Sequence, residues 1–263
     1  MSDQPPTIAT KFKDHHGSRR VARVTVDNQR RLNCLTSAQN LLLADTFHAL
    51  SRDETLACVV LTGAGDTAFI GGADLKELGA ADHDSGRLYI TRLHQACKAI
   101  RDCPVPVIGR INGFTLGAGL EIAASCDFRV AAAGAVLGMP EVHMGLPSVI
   151  EAALLPGLIG WGKTREILMT GETFDAEAAL AMGLVEKVVP ASGLDAAVDH
   201  WIGGILKATP KAIRAQKALI DHWQRSSVEE GVLAGIEALS NSYRTGEPQA
   251  AIARFFTSKK KKG

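Results

Sequence analysis

The sequence predicts an α/β domain that runs into a set of helices, and two observations carry that expectation. Over the first two thirds of the chain, short β-branched runs alternate with segments whose apolar residues recur at helical spacing. From about Asp195 the strand signal stops, and four consecutive segments read as helices.

RVARVTV at 20–26 alternates polar and apolar side chains as a half-buried strand does. CVVLTG at 58–63 and VPVIGRI at 105–111 are short β-branched runs bounded by turn residues, and they read as strands of the same core. Between these runs, 37–52 and 88–100 have helical periodicity. In the last quarter, 195–208, 210–224, 227–244 and 247–256 each read as a helix. Pro210 and Pro248 sit in first turns, where a missing N–H leaves no bond unmade. The chain therefore divides into a core, 1–194, and a helical region with a basic tail, 195–263. Several of those late helices are apolar on more than one face, which anticipates burial against another element or another copy of the chain. No periodic repeat or low-complexity linker interrupts the sequence.

At 263 residues, 46% hydrophobic and 22% charged, the chain has the composition of a folded globular protein rather than a disordered one. Its formal charge of +1 gives no global attraction to nucleic acid or membrane, so neither is expected as a partner. The local exception, four lysines at 259–262, reads as a solvated tail. The five cysteines (Cys34, Cys58, Cys97, Cys103 and Cys126) are odd in number and form no CxxC pair, which argues against a disulfide framework or a zinc knuckle. No HxxxH or HxH spacing suggests a metal site. The first residues lack an apolar leader core, no long apolar stretch follows, and Asp3 and Asp14 speak against a transit peptide; a cytoplasmic location is the expectation.

Three segments place something awkward beside a tight turn. In FIGGADLKE at 69–77, Gly71 and Gly72 allow close backbone approach, and the N–H groups of a helix opening at Ala73 would point unpaired at a ligand. In INGFTLGAGLEIAASCDF at 111–128, the near-bare run Gly117, Ala118, Gly119 offers a second exposed amide. Two such amides converging from separate loops are what an oxyanion hole requires. Glu121 lies among Leu120, Ile122, Ala123 and Ala124, where a carboxylate needs either an ion-pair partner or a catalytic use. In LGMPEVHMGLP at 137–147, Glu141 follows Pro140; by itself it reads as a surface-loop glutamate, and His143 as its neighbour rather than a ligand.

Taken together, GADLKE, NGFTLGAGLE and MPEVHMGLP stand in the order and at about the spacing of the crotonase (enoyl-CoA hydratase/isomerase) family, and TREILMTGETFDAEAALAMGLVEKVV at 164–189 is similar to the stretch that follows them there. The resemblance spans about 20–256. It implies a crotonase-like spiral of ββα units whose C-terminal helices trimerise, often as a dimer of trimers. It also implies an acyl-CoA thioester as substrate, with no cofactor beyond that coenzyme A moiety. By the same resemblance the N–H groups of Ala73 and Ala118 hold the thioester oxygen, with Ala118 replacing a common glycine. Glu121 takes a proton from water and Glu141 gives one to Cα. Arg30, Arg31 and Lys76 face the phosphates, while Gly71, Ala73, Asp74 and Leu75 lie along the coenzyme. Isomerases similar to this family keep only the second glutamate, so the pair favours hydration of an enoyl-CoA over isomerisation or another acyl-CoA lyase or hydrolase reaction. RNA-binding relatives exist, but an aromatic content of 5% offers little for base stacking.

The chain departs from the resemblance at PSVIEAALL, 147–155, where many crotonases are glycine-rich. Ser148 followed by Glu151 ahead of an apolar run fits a capping box. A third acid at the site is the competing reading.

Overall fold

The computed structural model describes residues 7–15 and 17–260, so Asp3, and Lys261 and Lys262 of the basic tail, lie outside the described residues. The strands are β1 Thr7–His15, β2 Arg19–Asp27, β3 Leu56–Gly63, β4 Ala68–Ile70, β5 Val107–Ile111, β6 Phe114–Leu116, β7 Phe128–Ala132, β8 Val136–Gly138, β9 Thr173–Asp175 and β10 Lys187–Val189. The helices are α1 Ser37–Ser51, α2 Leu75–Gly79, α3 His83–Arg101, α4 Ala118–Ala124, α5 Leu155–Thr170, α6 Ala176–Ala181, α7 Leu194–Lys207, α8 Pro210–Trp223, α9 Val228–Ser242 and α10 Glu247–Lys260.

Two sheets result. The larger runs β1-β2-β3-β5-β7-β10 and is parallel except for the β1–β2 hairpin; the smaller runs β4-β6-β8-β9 and is parallel except at β9. Three passes go from a strand of the large sheet through a turn into a three-residue strand of the small one; the first two continue into a helix and the third into the 3-10 turn Pro140–Met144. The β3-β4-α2, β5-β6-α4 and β7-β8 units therefore stack in register. This is the α/β spiral that the motifs imply. Buried on both faces, β3 carries eight consecutive buried residues, which is why it reads as a continuous run rather than an alternation.

The apolar core lies between the sheets and α1, α3 and α4, centred on Phe47, Phe69, Ile70, Leu93, Ile100, Leu120 and Ile122. A second cluster lies on the other side of the large sheet and involves α7, which the expected division at 194/195 placed in the helical region. Leu194, Val198, Ile202 and Ile205 of α7 cover Val21, Cys58, Val60, Ile108 and Val130 on the opposite face of the large sheet, so α7 is a layer of the core. Asp195, paired with Arg23 and Arg110, ties the start of α7 to that sheet. Helix α8 is also tied to the core, through Ile213, Arg214 and Lys217, and α9 packs on α8. Helix α2 also starts later than expected, because Asp74 is its N-cap and Ala73 forms a parallel bridge to Leu35.

Polar side chains fix the turns that lead into the small sheet. Asn112 Nδ2 donates to the carbonyls of Gly63, Gly65 and Ala68, and Asn33 Nδ2 to those of Ala64 and Ala68, so the 63–68 turn is held at four of its carbonyls. Arg129, buried and paired with Glu186, donates through Nη1 to the carbonyls of Ala123 and Cys126 and so closes the C-terminal end of α4.

Candidate active site

The three motifs meet because β4, β6 and β8 are neighbours running in the same direction, and each carries its functional residues just past its C-terminal end. Ala73 lies three residues beyond β4, Ala118 two beyond β6 and Glu141 three beyond β8. The approach of the first two turns depends on Gly119, where a Cβ would stand 1.9 Å from the carbonyl oxygen of Ile70. Among the described residues, no acceptor is bonded to the N–H of Ala73 or of Ala118. Ala73's neighbours are committed instead: the Gly72 carbonyl accepts from Leu35, and the Asp74 N–H donates to Leu35. Two adjacent turns thus hold one unpaired amide each.

Glu121 sits one turn into α4, a helix with every residue buried, and is itself 4% exposed. The ion pair considered for it is not formed, since no cation lies within salt-bridge distance of it among the described residues. Its partner is the N–H of Ala152, which is shared: it donates to the Val149 carbonyl at 2.9 Å and to Glu121 Oε1 at 3.3 Å. Burial, reinforced by the negative charges of Glu141 and Glu151, pushes its carboxyl up to about 8. At neutral pH the free site therefore keeps a proton on Glu121. Glu141, in the 3-10 turn Pro140–Met144, reaches back over the β6–α4 turn. A Cβ on Gly117, whose φ is 52°, would stand 2.5 Å from Glu141 Oε1. The second carboxylate is thereby set against the turn that carries the Ala118 amide. His143 is, as expected, a neighbour: its Nε2 lies 2.7 Å from the Thr170 carbonyl at the end of α5.

The capping box is overturned. The Ser148 hydroxyl donates to Glu141 Oε2 at 2.9 Å, and the 3-10 turn Ile150–Leu154 is preceded by Val149 with no side-chain cap. Ile150 adopts a φ of 38°, in the region of backbone conformation that favours glycine, and the Glu151 that follows it points inward. Glu151 is 3% exposed and meets Arg101 and His94 of α3, so its carboxylate is engaged by a guanidinium rather than by a backbone amide. Ser148, the Ala152 amide, Arg101 and His94 were all missed as members of this neighbourhood. None of them lies at a spacing that periodicity could reveal.

The residues expected along the coenzyme are close together in space, but several have structural partners. Arg30 and Arg31 form the exposed end of the 3-10 turn Gln29–Arg31. Arg31 Nη1 bonds Asp74 Oδ2 at 2.5 Å, while Asp74 Oδ1 accepts from the N–H groups of Lys76 and Glu77. Asp74 is buried and its carboxyl is held below the usual range, because these hydrogen bonds and Arg31 outweigh burial. The close approach at Gly71 is to the chain itself: its N–H donates to Leu32, and a Cβ would meet Leu32 Cβ at 2.8 Å. Leu75 and Lys76 are exposed beside this pair at the start of α2.

Sequence and structure comparisons agree on the kind of protein this resembles. The profile of the enoyl-CoA hydratase/isomerase family matches residues 16–262. A short-chain-enoyl-CoA hydratase of Clostridium acetobutylicum is 30% identical over 93% of this chain and 94% of its own. A crotonyl-CoA hydratase of Syntrophomonas wolfei is 28% identical over 92% and 93%. Among solved structures, an enoyl-CoA hydratase from Bacillus anthracis superposes with a TM-score of 0.90 at 29% identity, covering 95% of this chain and 96% of that one.

Proposed function

The chain belongs to the enoyl-CoA hydratase/isomerase family, and on that premise we propose that it catalyses the reversible hydration of a 2-enoyl-CoA thioester to a 3-hydroxyacyl-CoA. The observation that carries this reading is the placement of two carboxyl groups, Glu121 and Glu141, around the β6–α4 turn beside two unpaired amides.

Water bonds through oxygen to Cβ, and the π electrons of the conjugated system move onto the thioester oxygen. The amides of Ala73 and Ala118 stabilise that enolate, each contributing roughly 2.7–4 kcal/mol to the transition state. One carboxylate takes the proton lost by water, and the carboxyl of its partner gives a proton to Cα. The pair holds one proton throughout, so the two groups exchange states and behave as a coupled dyad. Glu121 acts on water and Glu141 on Cα, and the proton that water loses to the pair replaces the one the pair gives to Cα. Hydration is an acid–base addition, and it calls for no group beyond these side chains and the coenzyme A of the substrate.

Arg30, Arg31 and Lys76 bind the coenzyme phosphates, a role supported by their exposure on one side of the β4–α2 turn. Val232, Leu233, Ile236 and Leu239 form an exposed apolar face on α9, which supports assembly through the late helices as a trimer or a dimer of trimers. No helix among the described residues is long and apolar enough to cross a membrane, and a cytoplasmic location fits this reading.

A panel of 2-enoyl-CoA thioesters, followed by loss of the conjugated absorbance, tests the assignment. Glu121→Gln and Glu141→Gln should each slow hydration by at least about 100-fold. Near-wild-type turnover in either variant removes the two-glutamate mechanism, and migration of the double bond without hydration makes the protein an isomerase.

A further inference from the structure

Behind Glu121 stands a third carboxylate that the hydration step leaves unused. Glu151 accepts from Arg101 Nη2 at 2.7 Å and faces His94 Nδ1 at 3.0 Å, both on α3. The next residue, Ala152, is the one whose N–H bonds Glu121. The residue before it, Ile150, holds a left-handed φ that a β-branched side chain adopts only when its surroundings over-determine it. The ion pair of buried Glu151 with part-buried Arg101 lies directly beside that residue.

We propose that Glu151, clasped by Arg101 and His94, is a positioning residue for Glu121: it fixes the turn that presents the Ala152 amide and sets a compensated charge behind the carboxyl. This rests on the two-glutamate reading of the site. The titratable groups facing Glu121 are Glu141 from the Pro140–Met144 turn, Glu151 from the Ile150–Leu154 turn and Cys97 from α3; those facing Glu151 are His94, Cys97 and Arg101 from α3 and Glu121 from α4. Cys97 is fully buried with its thiol pushed well up, so it carries no charge here. Glu151 raises the carboxyl of Glu121, and Arg101 is the cation bonded to Glu151, so removing the anion and removing its cation should act on Glu121 in opposite directions.

The test measures the alkaline limb of kcat/KM against pH, together with infrared titration of the Glu121 carboxyl in ligand-free protein, identified by its loss in Glu121→Gln. Glu151→Gln should move both to lower pH by roughly half a unit or more, and Arg101→Gln should move both to higher pH by a similar amount. Arg101→Lys, which keeps the charge, should leave the limb in place while turnover falls less than about tenfold. A purely structural salt bridge would lower the melting temperature in these variants and shift the titration in neither direction. Unmoved or same-direction titrations in folded Glu151→Gln and Arg101→Gln overturn the proposal. If Glu151→Gln does not fold, the contrast between Arg101→Gln and Arg101→Lys decides it alone. A wild-type rate with no alkaline limb would contradict the two-glutamate reading instead, and the infrared titration would still judge the role of Glu151.

Discussion

Replacing Glu121 with glutamine should make the protein more stable and far less active, and the pH dependence of the stability gain follows from the structure. An ordinary glutamate ionises near 4.5, whereas this one holds its proton to about 8, chiefly because burial in α4 disfavours the charge. Between those values the unfolded chain releases a proton that the folded protein retains. The folded state thus loses about 1.4 kcal/mol of relative stability for each pH unit crossed, and the loss levels off above 8. Glutamine has the same shape, keeps an oxygen to accept from Ala152 and does not titrate. Its advantage should be small at pH 5 and grow to about 2–4 kcal/mol by pH 8. Chemical denaturation of both proteins at several pH values between 5 and 9 measures this directly. A stability difference that stays constant across that range would show that Glu121 has an ordinary acidity and that the electrostatic description of the site is wrong.

Other substitutions probe the remaining parts. Ser148→Ala should cut turnover severalfold by releasing Glu141 Oε2, because no helix cap depends on it; a loss of stability of about 1 kcal/mol with full turnover would restore the capping role. Gly117→Ala places a methyl against Glu141 Oε1 at a position with φ of 52°, and should lower kcat by tenfold or more; unchanged kinetics would mean that Glu141 acts from elsewhere. Arg30→Ala with Arg31→Ala should raise KM with little change in kcat, since phosphate contacts are equal in ground and transition states. Arg31→Ala alone should also cost up to about 1 kcal/mol of stability by removing the cation from Asp74 Oδ2, while Oδ1 keeps its two backbone N–H bonds; unfolding curves identical to wild type would deny that pair any structural role.

The strands and helices with a single dominant period were legible in the sequence. RVARVTV lies within β2, and all four late helices lie within two residues of their expected bounds or, in α10, run four residues further. The edge strand β1 was not read, because its residues are mostly exposed on both faces and alternate weakly. The small sheet was hidden for a different reason: strands of three residues are too short to show a period, and they are defined by their neighbours rather than by their own pattern. Motif spacing placed Ala73, Ala118, Glu121 and Glu141 near one another, but it could not show what shares their surroundings. Ser148 and Glu151 have the spacing of a cap, yet their side chains turn to Glu141 and to Arg101, a long-range choice made by the left-handed turn at Ile150. In the same way, Arg31 and Asp74 are 43 residues apart, and only the fold makes them partners.

The central claim, that this site adds water across an enoyl thioester rather than moving its double bond, is tested most directly by isotope. Turnover of a short 2-enoyl-CoA in water enriched in oxygen-18 and deuterium should give a 3-hydroxyacyl-CoA with one heavy oxygen at C3 and one deuterium at C2. Recovery of a shifted enoyl-CoA containing deuterium but no heavy oxygen would contradict it.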